Sequence, residues 1–470
     1  MKTAGDDRPS APCATQERKA PRAPGIRFSD LVRMDASRVP DPCLLIDKSE
    51  WQGDEEIPAS RYIGREIHEL EKEKIWKKVW QMACREEEIP EVGDAIVYDI
   101  TDISILVVRA DKTEIKAFYN ACLHQGRALR DGPSHNTELR CAFHGFCWTL
   151  HGRFAHMPSA WDFPQIDKRT FHLREVKVGR WGGFVFINMD PDCESLESYL
   201  GDMPLHWARF PLEERYIAAH VAKVIDANWK TTQEAFMEGF HNVATHVQFS
   251  VPFGGLLDST QYDPMGNYSR AIGLGSIETA LALKDPTMEE RLDTLPEIGA
   301  PGMVENLRKA APRDMSELFA GMVRYRRERL REIIGSKVDE LSDIELSGGG
   351  YFTLFPNFHP WWSYDEIVYR FRPYKDEPEM CLMETYLLRP FKGERPKPAP
   401  TRWLGLEDSH LQATELGETA RIFYQDEFNI GAVQKGLHDL GDLGRGATHG
   451  VYQAGKIRHF HKLWERWTSK

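Results

Sequence analysis

Asn120-Ala121-Cys122-Leu123-His124-Gln125-Gly126 and Cys141-Ala142-Phe143-His144-Gly145-Phe146-Cys147-Trp148 stand sixteen residues apart, counted from His124 to Cys141. The pattern is Cys-x-His followed by Cys-x-x-His, with a glycine close behind each pair. Two thiolates and two imidazoles can divide between two irons, both cysteines on one and both histidines on the other. Imidazole in place of thiolate leaves such a cluster less negative and raises its reduction potential. The glycines let backbone approach the sulfurs closely. A structural Cys2His2 zinc site normally keeps its cysteines in one pair and its histidines in the other. Here each pair holds one of each, which favours a [2Fe–2S] cluster on Cys122, His124, Cys141 and His144. Cys147 sits in a strand-like run, where cysteine is a common core residue, and is left out of the ligand set.

Outward from these loops, residues 94–190 have the texture of a small antiparallel β domain. Short β-branched and aromatic runs at 95–98, 104–108, 115–119 and 183–187 alternate with Gly, Asp and Asn turns. Residues 64–84 read as helix, with Ile67, Leu70, Ile75, Val79 and Trp80 along one side. Residues 1–40 are expected to be a disordered tail, rich in Ala, Pro and charge at their start. The remainder is mixed. Residues 230–246 read as helix, 276–346 as a charged and mostly helical insertion, and 351–354, 367–371 and 380–388 as strands. A final helix is expected over 418–437. The fold class is therefore α+β. The division is a tail (1–40), a helical part of the second domain (41–90), a β domain inserted at 91–190, and the larger domain (191–470).

The bulk numbers narrow the function. With 470 residues, two or more compact units are the default. A formal charge of −12 argues against broad capture of nucleic acid or an anionic membrane. No apolar run approaches the ~18 residues of a membrane helix, and a cytoplasmic location is expected. The eight cysteines read as thiols or metal ligands rather than as a disulfide framework.

A second constellation lies in Asn228-Trp229-Lys230-Thr231-Thr232-Gln233-Glu234-Ala235-Phe236-Met237-Glu238-Gly239-Phe240-His241, with His246 five residues on. Two histidines with a distant carboxylate are the set that binds Fe(II) and leaves adjacent positions open for O2. Glu234, Glu238 and His241 share one face at helical spacing. On an ideal helix His246 points about 140° away from His241, so the helix must distort or end; a π-bulge is one device. Further on, Ile422, Asp426, Ile430, Val433 and Leu437 form one helical stripe. An aspartate in such a stripe is costly unless paired or metal-bound; the bland reading is a buried salt bridge to an arginine.

The first stretches, with Thr149-Leu150-His151-Gly152-Arg153 and Pro158 after them, resemble the Rieske domain of Rieske non-heme iron ring-hydroxylating oxygenases, terminal oxygenase alpha subunits. Gln125 departs from a frequent Arg. The family pattern Asn-Trp-Lys, acid, two residues, His, four residues, His falls on the second stretch. The resemblance makes His241 and His246 iron ligands and Glu238 the catalytic bridging acid; that acid is usually Asp, and Glu occurs in the branch resembling carnitine and betaine-type oxygenases. Gln425-Asp426-Glu427 with Gln434-Lys435-Gly436-Leu437 looks like the C-terminal ligand segment; Asp426 is the chosen third ligand and Glu427 its rival.

The resemblance implies an antiparallel, helix-grip-like catalytic sheet flanked by helices. It also implies one [2Fe–2S] cluster and one mononuclear Fe(II) per subunit. Electrons come from NAD(P)H through a reductase, with or without a ferredoxin. O2 and an aromatic or other apolar substrate then yield dioxygenation, monooxygenation or oxidative demethylation, as in aromatic hydrocarbon catabolism. A homotrimer follows, with or without a small beta subunit, each cluster serving the iron of a neighbouring subunit. Met237, Phe240, Phe249, Phe253, Leu256, Phe352, Leu354, Phe355 and Trp362 are candidate pocket liners, and 276–346 a candidate lid. The competing class is an electron-transfer Rieske protein with no oxygenase chemistry of its own; a zinc-binding interaction protein comes third.

Overall fold

The computed structural model describes residues 22, 25–35, 37–246, 248, 260–273, 286–295, 297 and 300–469. Two β layers organise it. The first sheet is built from Gln81–Arg85 (β1), Asp94–Ile100 (β2), Ile103–Arg109 (β3), Ile115–Tyr119 (β4), Ser134–His135 (β5), Glu175–Trp181 and Phe184–Asn188. Between β5 and Glu175–Trp181 a small three-stranded sheet intervenes: Leu139–Arg140 (β6), Cys147–Trp148 (β7) and Phe154–His156 (β8). Numbering on, Glu175–Trp181 is β9 and Phe184–Asn188 is β10, and the large sheet runs β1-β10-β9-β4-β3-β2-β5.

The central strand β3 is buried on both faces, and strand periodicity divides them. On β3, Ile105 and Val107 join the main core, while Leu106 and Val108 join a second cluster with Cys122, Cys141, Phe146 and Trp148. One strand thus bolts the ligand loops to the rest of the molecule. The four expected runs are strands here. The sheet begins at β1, ahead of residue 91, and this corrects the helix expected over 64–84. That helix is Arg65–Glu71, continued by a π-turn at Lys72–Trp76, and Gln81 onward is drawn into pairing with β10. Tertiary pairing outweighs the apolar spacing that Val79 and Trp80 share with the helix.

The second sheet has eight strands: Arg215–Ile225 (β11), Gln261–Met265 (β12), Tyr268–Gly273 (β13), Gly349–Leu354 (β14), Phe358–Pro360 (β15), Ile367–Pro373 (β16), Cys381–Pro390 (β17) and Thr401–Leu404 (β18). Their order is β12-β13-β14-β15-β16-β17-β11-β18, antiparallel throughout except for the parallel edge pair β11–β18. β13 and β14 pair from Tyr268↔Leu354 to Gly273↔Gly349, so the chain leaves and rejoins one hairpin. The described excursion is helical, with a core of its own at Leu292, Met303, Leu307, Leu318 and Met322. The insertion expected over 276–346 lies partly outside the described residues.

Helices close the sheet. Numbering those that matter, α1 is Phe28–Met34, α2 Arg65–Glu71, α3 Trp229–Glu234, α4 Thr419–Asp442 and α5 Gly455–Thr468. α1 corrects the disordered reading of 1–40 in part: Phe28 and Val32 are fully buried, whereas residues 1–21 lie outside the described residues. α5 was not anticipated, and α4 is not the last helix. No described helix is long and apolar enough to cross a membrane.

Candidate metal centres and their cavity

The first ligand loop follows β4; the second joins β6 to β7. They are built alike. Cys122 N–H donates to Arg127 O at 2.8 Å and Gly126 N–H to Cys122 O at 2.8 Å. Cys141 N–H donates to Phe146 O at 2.8 Å and Gly145 N–H to Cys141 O at 3.0 Å. Both turns close through a glycine at positive φ, +78° at Gly126 and +74° at Gly145, where a side chain would be strained. Both cysteines are buried, while His144 is exposed and His124 half-buried. The two imidazoles lie 4.7 Å apart, and His124 stacks on Phe146 at 4.6 Å.

The donor set fits a [2Fe–2S] cluster. His124 Nδ1 is buried with no hydrogen-bond partner, an orphan that a metal bond would satisfy. Phe143 N–H points at Cys141 Sγ from 3.5 Å, as a backbone donor does at a thiolate. Burial pushes the Cys141 thiol up, but this donor and the Cys122 side chain outweigh it and leave the pKa below the ordinary thiol value. Cys147 is fully buried on β7. It gathers with Glu138 and His156, yet Arg140 bonds both of those side chains.

The second centre depends on a broken helix. Asn228 caps α3, its side-chain oxygen accepting from Lys230 N–H at 2.9 Å. The helix ends at Glu234 instead of running through 230–246, and a 3₁₀ turn at Phe240–Val243 follows Gly239. The break corrects the continuous helix expected there; no π-bulge is used. It lets His241 and His246 face one point, their rings 5.1 Å apart. Glu238 governs the restart: Oε2 accepts from His241 N–H at 3.1 Å and from Phe240 N–H, while Oε1 takes His241 Nδ1 at 2.7 Å.

His246 Nδ1 meets Gln425 Oε1 at 2.9 Å. A carboxamide oxygen only accepts, so Nδ1 donates to it and Nε2 is the nitrogen that faces Asp426, where giving up its proton would let it bind a metal. The carboxylate of Glu238 does the same for His241. Both Nε2 atoms converge on Asp426 Oδ1, at 2.9 Å from His246 and 3.6 Å from His241. Ligand atoms of all three residues lie within 4.8 Å of one another. Two imidazoles oriented by oxygen partners, with one carboxylate, fit a facial Fe(II) site. Burial works against a charged His241, but Glu238 and then Asp426 outweigh it and raise its pKa.

Asp426 is buried on α4 with Phe423, Ile430, Gln434 and Leu437; Ile422 is half-buried and Val433 is 52% exposed, so the stripe is rotated from the one expected. Glu427 turns the other way and pairs with His410. A cavity of about 640 Å³ opens beside the triad, lined in part by Tyr62, Glu234, Glu238, Phe240, His241 and Asp426. Of the expected liners only Phe240 borders it. Met237, Phe352, Leu354, Phe355 and Trp362 are core, and Phe249, Phe253 and Leu256 lie outside the described residues. Gln425, Tyr62, His449 and His461 were missed. Gln425 stood beside Asp426 in the quoted run, whereas the others reach the site only through tertiary folding.

The chain matches the Rieske [2Fe–2S] domain family over residues 79–167 and the ring hydroxylating alpha subunit (catalytic domain) family over 208–470. It is 30% identical to a carnitine monooxygenase oxygenase subunit of Escherichia coli (strain K12) over 44% of this chain and 54% of that one. It is 29% identical to an anthranilate 1,2-dioxygenase large subunit of Acinetobacter baylyi over 45% and 48%. These matches thus span about half the length of the relatives. A quaternary ammonium Rieske monooxygenase in complex with L-carnitine superposes with a TM-score of 0.60 at 18% identity, covering 90% of this chain and 96% of that one. A Rhodococcus naphthalene 1,2-dioxygenase bound to indole gives 0.59 at 19%, covering 88% and 94%. The chain belongs to the ring-hydroxylating oxygenase alpha subunits, carrying a Rieske [2Fe–2S] domain ahead of a mononuclear-iron catalytic domain.

Proposed function

We propose that this chain is the terminal oxygenase of a multicomponent system, activating O2 to oxidise a bound organic substrate. Cys122, His124, Cys141 and His144 would hold the cluster; His241, His246 and Asp426 would hold Fe(II). When bound, the cluster supplies one-electron transfer and the iron supplies O2 activation. The observation that carries the reading is the orientation of His241 and His246: each is held through Nδ1 by an oxygen partner and turns its Nε2 toward Asp426. An electron-transfer protein needs no such second centre.

The chain's own groups have definite tasks. Glu238 and Gln425 hold the imidazole tautomers. On this reading Glu238, bonded to His241 Nδ1, links the centre to the cluster of a neighbouring copy, in a trimer by resemblance. The relatives are named for oxidising carnitine and anthranilate; the substrate here is an organic molecule sized to the 640 Å³ cavity, with electrons from an NAD(P)H-dependent reductase. The test is iron analysis with electron paramagnetic resonance, followed by O2 uptake coupled to a reductase and product identification. Two iron species and substrate-dependent uptake are expected. A cluster alone, with no second iron, would reduce the chain to an electron carrier.

A further inference from the structure

Cys147 belongs to neither proposed iron centre. It lies on the middle strand of the small sheet, opposite Arg140 of β6 on one side and His156 of β8 on the other. Cross-strand partners share a face of a sheet. The three side chains therefore stand in one row, and Glu138, just ahead of β6, joins them. Cys147 is fully buried, Glu138 is half-buried, and Arg140 and His156 are exposed. The thiol is thus the floor of a surface site and the imidazole its rim.

One thiol sulfur, one carboxylate oxygen and one imidazole nitrogen lie within 4.8 Å of one another. Mixed sulfur, nitrogen and oxygen donors suit a zinc-class divalent ion. Bonds of about 2.0–2.3 Å place neighbouring ligands about 3.3–3.8 Å apart around a tetrahedral ion. Small rotations of Glu138 and His156 close that gap. A cation already stands between two of the ligands: Arg140 Nη2 donates to Glu138 Oε1 at 2.6 Å and to His156 Nε2 at 3.1 Å. A guanidinium offers only donors. Nε2 of His156 therefore presents a lone pair and Glu138 an accepting oxygen, the states in which both bind a metal. Cys147 alone must change. Burial, then its hydrogen bond to Glu138, push the thiol pKa up to about 12. An arriving metal ion exchanges one cation for another, releasing the exposed Arg140 side chain and the thiol proton to solvent.

We propose that Glu138, Cys147 and His156 form a third metal site, separate from both iron centres, which takes a zinc-class divalent ion in competition with Arg140. Three protein ligands hold the ion, and solvent completes its shell. The site is built from the small sheet alone and does not depend on the reaction at the mononuclear iron.

Zinc titration of the iron-loaded protein, followed by dialysis and metal analysis, tests this. About one zinc per chain should be retained, with both iron species and the cluster's visible spectrum unchanged. Calorimetry in two buffers of different ionisation heat should show about one proton released per zinc. His156→Ala, a change at an exposed residue, should weaken zinc binding at least ten-fold at constant iron content, and Cys147→Ser should abolish it. Arg140→Gln removes the competing cation and its charged hydrogen bonds, so it should bind zinc about ten-fold more tightly. Zinc taken up only in exchange for mononuclear iron, uptake that His156→Ala leaves unchanged, or an Arg140→Gln affinity no higher than the parent's overturns the proposal. His156→Ala and Arg140→Gln decide the matter even if Cys147→Ser does not fold.

Discussion

The carboxylates around the second centre divide the work by where their oxygens point. Asp426 faces both Nε2 atoms, whereas Glu427, one residue on, is rotated to His410. Asp426→Ala is therefore expected to lose the mononuclear iron and keep the cluster's visible spectrum, while Glu427→Gln keeps both; iron content of the two variants decides it. On the proposed reading Glu238 positions His241, to whose Nδ1 it is bonded. Glu238→Gln should retain both iron species and lose at least ten-fold in turnover, a typical loss for a group that orients a metal ligand, with Glu238→Asp restoring part of it. Loss of the mononuclear iron in Glu238→Gln would make it a ligand instead. Glu234 gives a pH signature. Its carboxyl is held up to about 7 in the folded chain against an ordinary glutamate value of 4.5. The folded state therefore binds the proton more tightly, and stability falls as pH rises from 4.5 through 7. The gap corresponds to about 3 kcal/mol, fully present above pH 7. Urea unfolding should show Glu234→Gln gaining on the parent between pH 5 and pH 8. An equal difference at both pH values would contradict the burial argument. At this scale much was legible in sequence: unusual residue types at unusual spacings, such as Cys-x-His or an aspartate in an apolar stripe, announce themselves. Tyr62 and His461 did not, because each is an ordinary residue whose role depends on a partner far away in sequence.

Among the elements, the misreadings share a cause. Residues 230–246 carry helix-favouring spacing, yet α3 stops at Glu234 because Glu238 offers its side chain to the backbone N–H groups of the next turn. Residues 81–85 carry the end of a helical stripe, yet they pair with β10. Local periodicity cannot see either competitor. α5 was recoverable: Ile457, Phe460, His461 and Trp464 lie on one helical face, but charged neighbours dilute the stripe. What α5 contributes is a buried junction. The Glu71 carboxylate on α2 accepts from Trp229 Nε1 at 2.8 Å, Lys230 Nζ at 2.5 Å and Trp464 Nε1 at 2.7 Å, joining α2, α3 and α5 beneath the metal-bearing turn. Glu71→Ala strands a buried ammonium and two indole donors. It should cost about 3–5 kcal/mol in denaturant unfolding and loosen α3, lowering mononuclear iron content before cluster content. A change under 1 kcal/mol would show that water replaces the carboxylate without strain.

For the whole molecule, both redox edges face outward. The cluster loops bury their cysteines and present His144, with Phe143 60% exposed beside it. On the other domain, Glu238 and His241 are reached from the cavity that opens at the surface. One chain thus offers a donor edge and an acceptor edge, the arrangement that a head-to-tail ring closes. Whether electrons cross between subunits can be asked by complementation. A Cys122→Ser chain is expected to lack the cluster, and an Asp426→Ala chain the mononuclear iron; each alone should be inactive. In rings assembled at random from equal amounts, half of the iron sites are intact, and half of those adjoin an intact cluster on the neighbouring copy. Turnover should therefore recover to about a quarter of the parent value, measured as coupled O2 uptake after co-expression. If electrons instead stay within a chain, no mixed ring contains a chain with both centres, and the mixture remains as inactive as its parts.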